Sequence, residues 1–208
     1  MSLRERNRIE TTRAIHRAAY ELVMAHGLAQ ATVEAIASQA GVSKRTFFNY
    51  FATKEDAVLG STDPVLDEEA VRAFREDDAD LLIRTIRLLL SVLESAFGGG
   101  STLAQRRELL ERFPELRRPF MRQLSAVERL VRSALEERLS EEDPDSPVLA
   151  GLPAVPDAPK ALLALAGAVV RFTAERQIER GHPISTLDLS AAVEDSINIF
   201  REVFAALR

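Results

Sequence analysis

The segment from Thr32 to Phe51 leaves little freedom in how it can fold. Val33, Ile36, Ala37 and Ala40 recur at i, i+3, i+4 and i+7, the apolar face of one short helix. Gly41 and Val42 break that helix in a tight turn, and Ser43 opens a second one that runs to about Tyr50. Thr32 and Ser43 are residue types whose side-chain oxygen caps a helix N-terminus. Helices this short do not hold alone, so the pair needs a third partner. Residues 8–26 supply it. Ile15, Ala18, Ala19 and Leu22 form an apolar stripe, Asn7 and Glu10 have the spacing of a capping box, and Gly27 ends the helix. Two helices joined by a short glycine-containing turn make the helix-turn-helix arrangement, although an ordinary helical core can contain such a pair as well.

Beyond residue 51 the pattern remains helical. Thr53 and Asp56 have cap spacing and start a fourth helix, read as a connector. Residues 61–79 are acidic, contain Pro64 and allow a short helix near residues 68–74. Residues 80–97 are apolar on most sides, which predicts a buried helix, and the GGGS run at 98–101 interrupts it. Helices follow over residues 103–113 and 115–139, a Pro- and Asp-rich loop over 140–159, and two last helices over 160–180 and 187–207. Runs of alternating β-branched and aromatic residues are missing. The expected fold class is all-α: an N-terminal three-helix helix-turn-helix domain, residues 1–54, and a C-terminal helical domain, residues 55–208.

Charge separates the same two parts. Residues 1–54 carry a net charge of +4 and the rest of the chain −9. A basic head on an acidic body suggests that only the head meets a polyanion. The absence of cysteine removes disulfides, Cys-ligated zinc and thiol catalysis together. The longest apolar run, residues 161–170, is far short of the roughly 20 residues a membrane span needs. Three histidines, His16, His26 and His182, show no H-E-x-x-H spacing, and no G-x-S-x-G elbow occurs. GGGS follows a helix rather than a strand and lacks the lysine of a phosphate loop. Glu141, Glu142, Asp143 and Asp145 imitate a calcium site without its loop pattern. No metal, cofactor or catalytic group is expected, and an enzyme is set aside.

Helix 3 divides its side chains. Val42, Phe47 and Phe51 are spaced to face inward, which leaves Lys44, Arg45, Thr46, Asn49 and Tyr50 outward or sideways. A DNA major groove accepts a helix of this size and is read by Arg or Lys on guanine and by Asn on adenine. Arg4, Arg6 and Arg8 are either an added phosphate or minor-groove arm or a frayed, solvated terminus.

Residues 32–58, TVEAIASQAGVSKRTFFNYFATKEDAV, resemble the DNA-binding segment of the TetR (tetracycline-repressor) family of bacterial transcription regulators. The resemblance is strong over about residues 8–60 and elsewhere rests on architecture. It implies a cytoplasmic, ligand-responsive repressor that binds a palindromic double-stranded DNA operator as a homodimer. It also implies that Thr32, Thr46, Phe48, Tyr50 and Lys54 lie along the phosphates, with Lys44, Arg45 and Asn49 at base edges and Ser43 also among the DNA-binding residues. The family usually has Tyr where this chain has Phe48, so a contact there is expected to be apolar.

The family's larger domain typically takes up a small molecule and dimerises through its last two helices. By that resemblance Leu163, Gly167, Val170 and Ala174 on one helix, and Ile197, Phe200, Val203, Phe204 and Leu207 on the other, form the dimer interface, or else an internal seam. Leu89, Leu93, Phe97, Met121, Leu124 and Arg171 are the expected pocket lining, with Arg171 alternatively in a salt bridge or at an interface. The rival reading is a helix-turn-helix activator, or an adaptor, that needs no small-molecule effector.

Overall fold

The computed structural model describes residues 2–76, 79–98, 100–141, 157–181 and 189–207. These residues form α-helices and one 3-10 turn, with no strand among them, as the all-α reading expects. The helices are α1 (Leu3–His26), α2 (Val33–Gln39), α3 (Lys44–Tyr50), α4 (Lys54–Leu59), α5 (Glu68–Glu76), α6 (Leu81–Phe97), α7 (Leu103–Arg112), α8 (Arg117–Glu141), α9 (Ala158–Glu179) and α10 (Leu189–Ala206). The 3-10 turn, Pro114–Leu116, precedes α8. His182 and the acidic residues Glu142, Asp143 and Asp145 lie outside the described residues.

The short helices begin where a hydroxyl can cap them. Thr32, Ser43, Thr53 and Thr102 each accept from the backbone N–H three residues on, at 3.0–3.2 Å. At α7 the box is reciprocal, because Gln105 also accepts from the Thr102 backbone N–H. Helix α1 corrects one expectation. It starts at Leu3, so Asn7 sits inside the helix and its carbonyl accepts from the Thr11 hydroxyl at 2.8 Å. Residues 3–6 (Leu, Arg, Glu, Arg) are good helix formers and carry the helix past the apparent cap.

The chain forms two compact units. Unit 1 comprises residues 1–63 and 96–124; unit 2 comprises residues 64–95 and 125–208. In unit 1, α1 supplies Ile15, Ala18, Ala19 and Val23 to one apolar core, α2 supplies Ile36 and Ala37, and α3 supplies Phe47 with Phe51 just after it. Ala57, Val58 and Leu59 of α4 join them, and so do Leu109 of α7 and Leu116 of the 3-10 turn. The core beneath the helix-turn-helix pair is therefore completed by residues far along the chain.

A buried histidine ties three of these helices. His16 of α1 is only 4% exposed. Its Nδ1 lies 2.8 Å from the Ala57 carbonyl of α4, and its Nε2 lies 2.5 Å from Ser101 Oγ at the entry to α7. A carbonyl can only accept, so Nδ1 carries the proton and Nε2 accepts from the serine hydroxyl. Gly60 makes room for this ring. It combines a φ of +64° with a position where an added Cβ would stand 3.1 Å from the imidazole. The left-handed backbone disfavours a larger residue there, and the imidazole would have to give by a few tenths of an ångström.

Unit 2 is built on α6, α9, α10 and the later part of α8. Asp80 caps α6 through the Ile83 N–H at 2.9 Å, and Arg84 reaches back to the Phe74 carbonyl of α5 at 3.0 Å. Ser95 holds the segment before α5 by accepting from the Val65 N–H at 2.9 Å, and its hydroxyl lies within reach of the Val65 and Val92 carbonyls. Val127, Val131 and Leu135 line one buried face of α8. Helices α9 and α10 pack together. Leu162, Leu163, Ala166, Val169, Val170 and Thr173 are buried on α9, and Val193, Ser196 and Ile197 on α10. Phe172 meets Phe200 edge to face at 5.5 Å.

Two predictions follow from these contacts. Ser43→Ala removes the cap of α3 and is expected to cost about 1 kcal/mol, while Ser43→Gly costs only a few tenths; denaturant midpoints of the two variants check the difference. The second concerns His16, whose burial holds its proton affinity below the ordinary value of 6.5, with Arg106 acting the same way against the Ala57 carbonyl. The unfolded chain therefore takes that proton more readily, so the stability due to neutral His16 is complete above pH 6.5 and declines as the pH falls below it. Wild-type stability should drop as the pH falls below 6.5, and His16→Gln should be less stable above that pH and show a flatter slope. Equal slopes would show that His16 does not hold this proton balance.

Candidate nucleic-acid interface

The turn between α2 and α3 fixes how α3 is presented. Gly41 has a φ of +70°, and the Val42 N–H returns to the Ala37 carbonyl at 2.9 Å, closing the C-terminus of α2. Gln39 of α2 donates to Glu21 of α1 at 2.8 Å. Phe47 and Phe51 are buried in the core, and their rings lie 6.1 Å apart. With that face committed, Lys44, Arg45, Phe48 and Asn49 project outward over a continuous arc. Phe48 remains 50% exposed and stands edge to face on Phe47, at 5.4 Å and 87°. Of three phenylalanines in five positions, two are core and one is surface.

The other expected contact residues have local partners. The Thr46 hydroxyl meets Ser43 Oγ at 2.8 Å, and Tyr50 is half-buried against the core. Thr32 is exposed at the start of α2. Lys54 donates to the Leu28 carbonyl at 2.7 Å, which holds α4 to the chain beyond α1. Lys44 pairs with Glu34 of α2 at 2.5 Å, and both side chains are well exposed. The hydrogen bond from Lys44, with the Glu34 backbone N–H and the lysine charge behind it, keeps the Glu34 carboxyl below its usual range. An exposed pair of this kind contributes little to stability, so Lys44 can exchange Glu34 for another anion at low cost. Arg4, Arg6 and Arg8 lie exposed on α1 itself, so this basic segment is helical rather than a loose terminus.

Glu34, Glu21 and His16 make contacts within the head that pattern reading missed. Glu34 has a visible signal, since it stands outside the apolar face of α2, ten residues before Lys44. His16 offers a weaker one: it directly follows Ile15 of the buried stripe. Its partners Ala57 and Ser101 carry no signal.

The residues expected around an effector are distributed over both units. Leu89 is buried and Leu93 half-buried on α6, while Arg171 is exposed on α9. Phe97 is buried, Leu124 half-buried and Met121 exposed in unit 1. A recess of about 60 Å³ between α5 and α6 has other lining residues, among them Phe74, Arg84 and Leu88. It is far below the roughly 300–1,000 Å³ of ligand sites. Of the expected dimer residues, Leu163, Val170 and Ile197 are buried, and Gly167, Ala174 and Phe200 are half-buried. Val203, Phe204 and Leu207 at the end of α10 are 53%, 50% and 77% exposed. Among the described residues no group of three or more His, Asp or Glu could hold a metal ion, and no helix is long and apolar enough to cross a membrane.

Residues 15–59, from the buried stripe of α1 to the end of α4, match the family model described as bacterial regulatory proteins, tetR family. Comparison with curated proteins gives no match. Similar solved structures include one from Mesorhizobium loti assigned to the TetR family as a transcriptional regulator, with 18% identity over 98% of each chain and a TM-score of 0.43. Another is the multidrug binding protein EbrR complexed with imidazole, with 20% identity over 89% of this chain and 93% of that one, and a TM-score of 0.32. Residues 15–59, a capped helix pair of which one face is core and the other a basic, amide-bearing surface, thus carry the segment that the model of the tetR family of bacterial regulatory proteins describes.

Proposed function

We propose that the chain is a ligand-responsive repressor that binds a palindromic DNA operator as a homodimer and leaves it when a small molecule binds within residues 55–208. The observation that carries this reading is the exposed arc of Lys44, Arg45, Phe48 and Asn49 on a helix held by two buried phenylalanines. Arg45 and Asn49 suit guanine and adenine edges, and Lys44 reaches either a base or a phosphate once released from Glu34. Thr32, Ser43, Thr46, Tyr50 and Lys54 surround that arc as backbone contacts that set register. Phe48 cannot donate to a phosphate, so it would meet a thymine methyl or a sugar. Such a protein works where the DNA is, which places it in the cytoplasm.

The second copy is suggested by α10. Val203 and Phe204 on this helix and Leu207 just past it form an exposed apolar end, and a two-fold interface buries the same patch on both chains. Two heads must then match half-sites about one helical turn, or a multiple of it, apart. An effector that prefers a state with a different head spacing must weaken DNA binding by the same coupling with which DNA weakens its own.

Selection of bound sequences from a random DNA pool tests the reading directly. Wild type should enrich a palindrome, and Arg45→Ala should relax one base position per half-site, a loss of about 1–3 kcal/mol in discrimination. No enrichment at low salt by a folded protein would refute the DNA assignment. Separately, Val203→Asp with Phe204→Asp should give a folded monomer in sedimentation, with operator affinity reduced about a hundredfold or more through lost avidity.

A further inference from the structure

Unit 1 contains a cavity of about 320 Å³ between α1 and the start of α7. Arg13, His16, Arg17 and Tyr20 line it from α1, and Ser101 and Gln105 from the other side. The α1 residues recur at intervals of three and four, so they share one helix face. Arg13 and Arg17 are like charges at i and i+4, an arrangement that destabilises a helix unless something compensates it. Both are exposed, and neither has an ion-pair partner among the described residues. His16 adds no acceptor toward the cavity, because both ring nitrogens are engaged by Ala57 and Ser101.

A third guanidinium strengthens the positive field. Arg106 of α7 is buried, donates to the Phe97 carbonyl at 3.1 Å and stacks over the Phe97 ring at 4.7 Å, and its Nε has no partner. Burial lowers its pKa to about 10, so it stays charged at neutral pH, and it is near enough to His16 to disfavour a second charge there. Glu108 lies against Tyr20 but is not part of the lining. The cavity is thus a concave site with two free arginines on its wall, a buried cation nearby and the side-chain amide of Gln105, while the Tyr20 hydroxyl is engaged by Glu108. Guanidinium groups bind planar or tetrahedral oxyanions by paired N–H donors.

We propose that this cavity binds a small oxyanion, the phosphate or carboxylate group of a metabolite, held by Arg13 and Arg17 against the start of α7. The anion joins the helix that supports the reading head to the segment that completes its core, and does so without any residue of the reading face. It is a second small-molecule input, separate from the effector of the proposed function and independent of whether that effector exists.

The experiment is calorimetric titration of the full chain, without DNA, at ionic strength held constant with chloride. One arm uses inorganic phosphate and the other malonate, with Arg13→Gln, Arg17→Gln and Arg8→Gln as variants. All three arginines are exposed, so the variants should fold; a thermal melt of each checks this. Saturable one-site binding of either anion by wild type and by Arg8→Gln, weakened about tenfold in Arg13→Gln and Arg17→Gln, is the expected result and corresponds to one lost charge-assisted hydrogen bond. The arm that binds more tightly identifies phosphate or carboxylate as the group. Binding that does not saturate in either arm, or that is equal in all folded variants, overturns the proposal.

Discussion

The burial of Phe47 and Phe51 is the constraint on which the reading surface depends. Helix α3 has seven residues and could not persist by propensity. Its place is set by two rings in the core of unit 1, by the Ser43 cap, and by the glycine turn from α2. Each exposed residue of α3 takes its direction from those two rings. Truncating a buried phenylalanine costs about 3–5 kcal/mol, more than the exposed side of α3 could recover through its own contacts. Surface residues here are free to suit DNA because stability is supplied from the opposite side of the same helix.

That division is legible in the sequence, since it follows from spacing. The apolar positions of α2, the two cap residues and the alternation within residues 44–51 are all local, and all appear where the pattern puts them. The start of α1 was not legible, because a cap spacing at Asn7 and Glu10 can arise inside a helix when the residues ahead of it also favour helix. Nor could local pattern find Leu109 and Leu116 in the core beside Ile15, or Ser101 against His16. Those pairings are separated by about eighty residues or more, and nothing in their neighbourhoods marks them.

The charge division survives the redrawn boundary. Unit 1, counted with residues 96–124, carries a net +4, and unit 2 carries −9. The arginines of α7 and early α8 offset the acids of residues 55–63. Within this basic unit, charge is handled in three ways. Lys44 is paired with an exposed carboxylate, Arg106 is buried on an aromatic ring, and Arg13 and Arg17 are left open at the cavity wall. Only the first and last are available to an incoming anion, and they occupy different helices.

The connectivity of unit 1 has a consequence for how the chain acquires its structure. Between the helix-turn-helix segment and its last core residues, thirty-two residues, 64–95, belong to the other unit. A growing polypeptide therefore presents α1 to α4 well before Leu109 and Leu116 exist to cover them. The apolar surface those leucines later seal stays open during that interval, and the ring of His16 lacks its serine. Folding of the head must wait for long-range contacts, which slows it relative to a helical domain closed by its own neighbours. The interval is also when that surface is most available to chaperones or to a neighbouring chain.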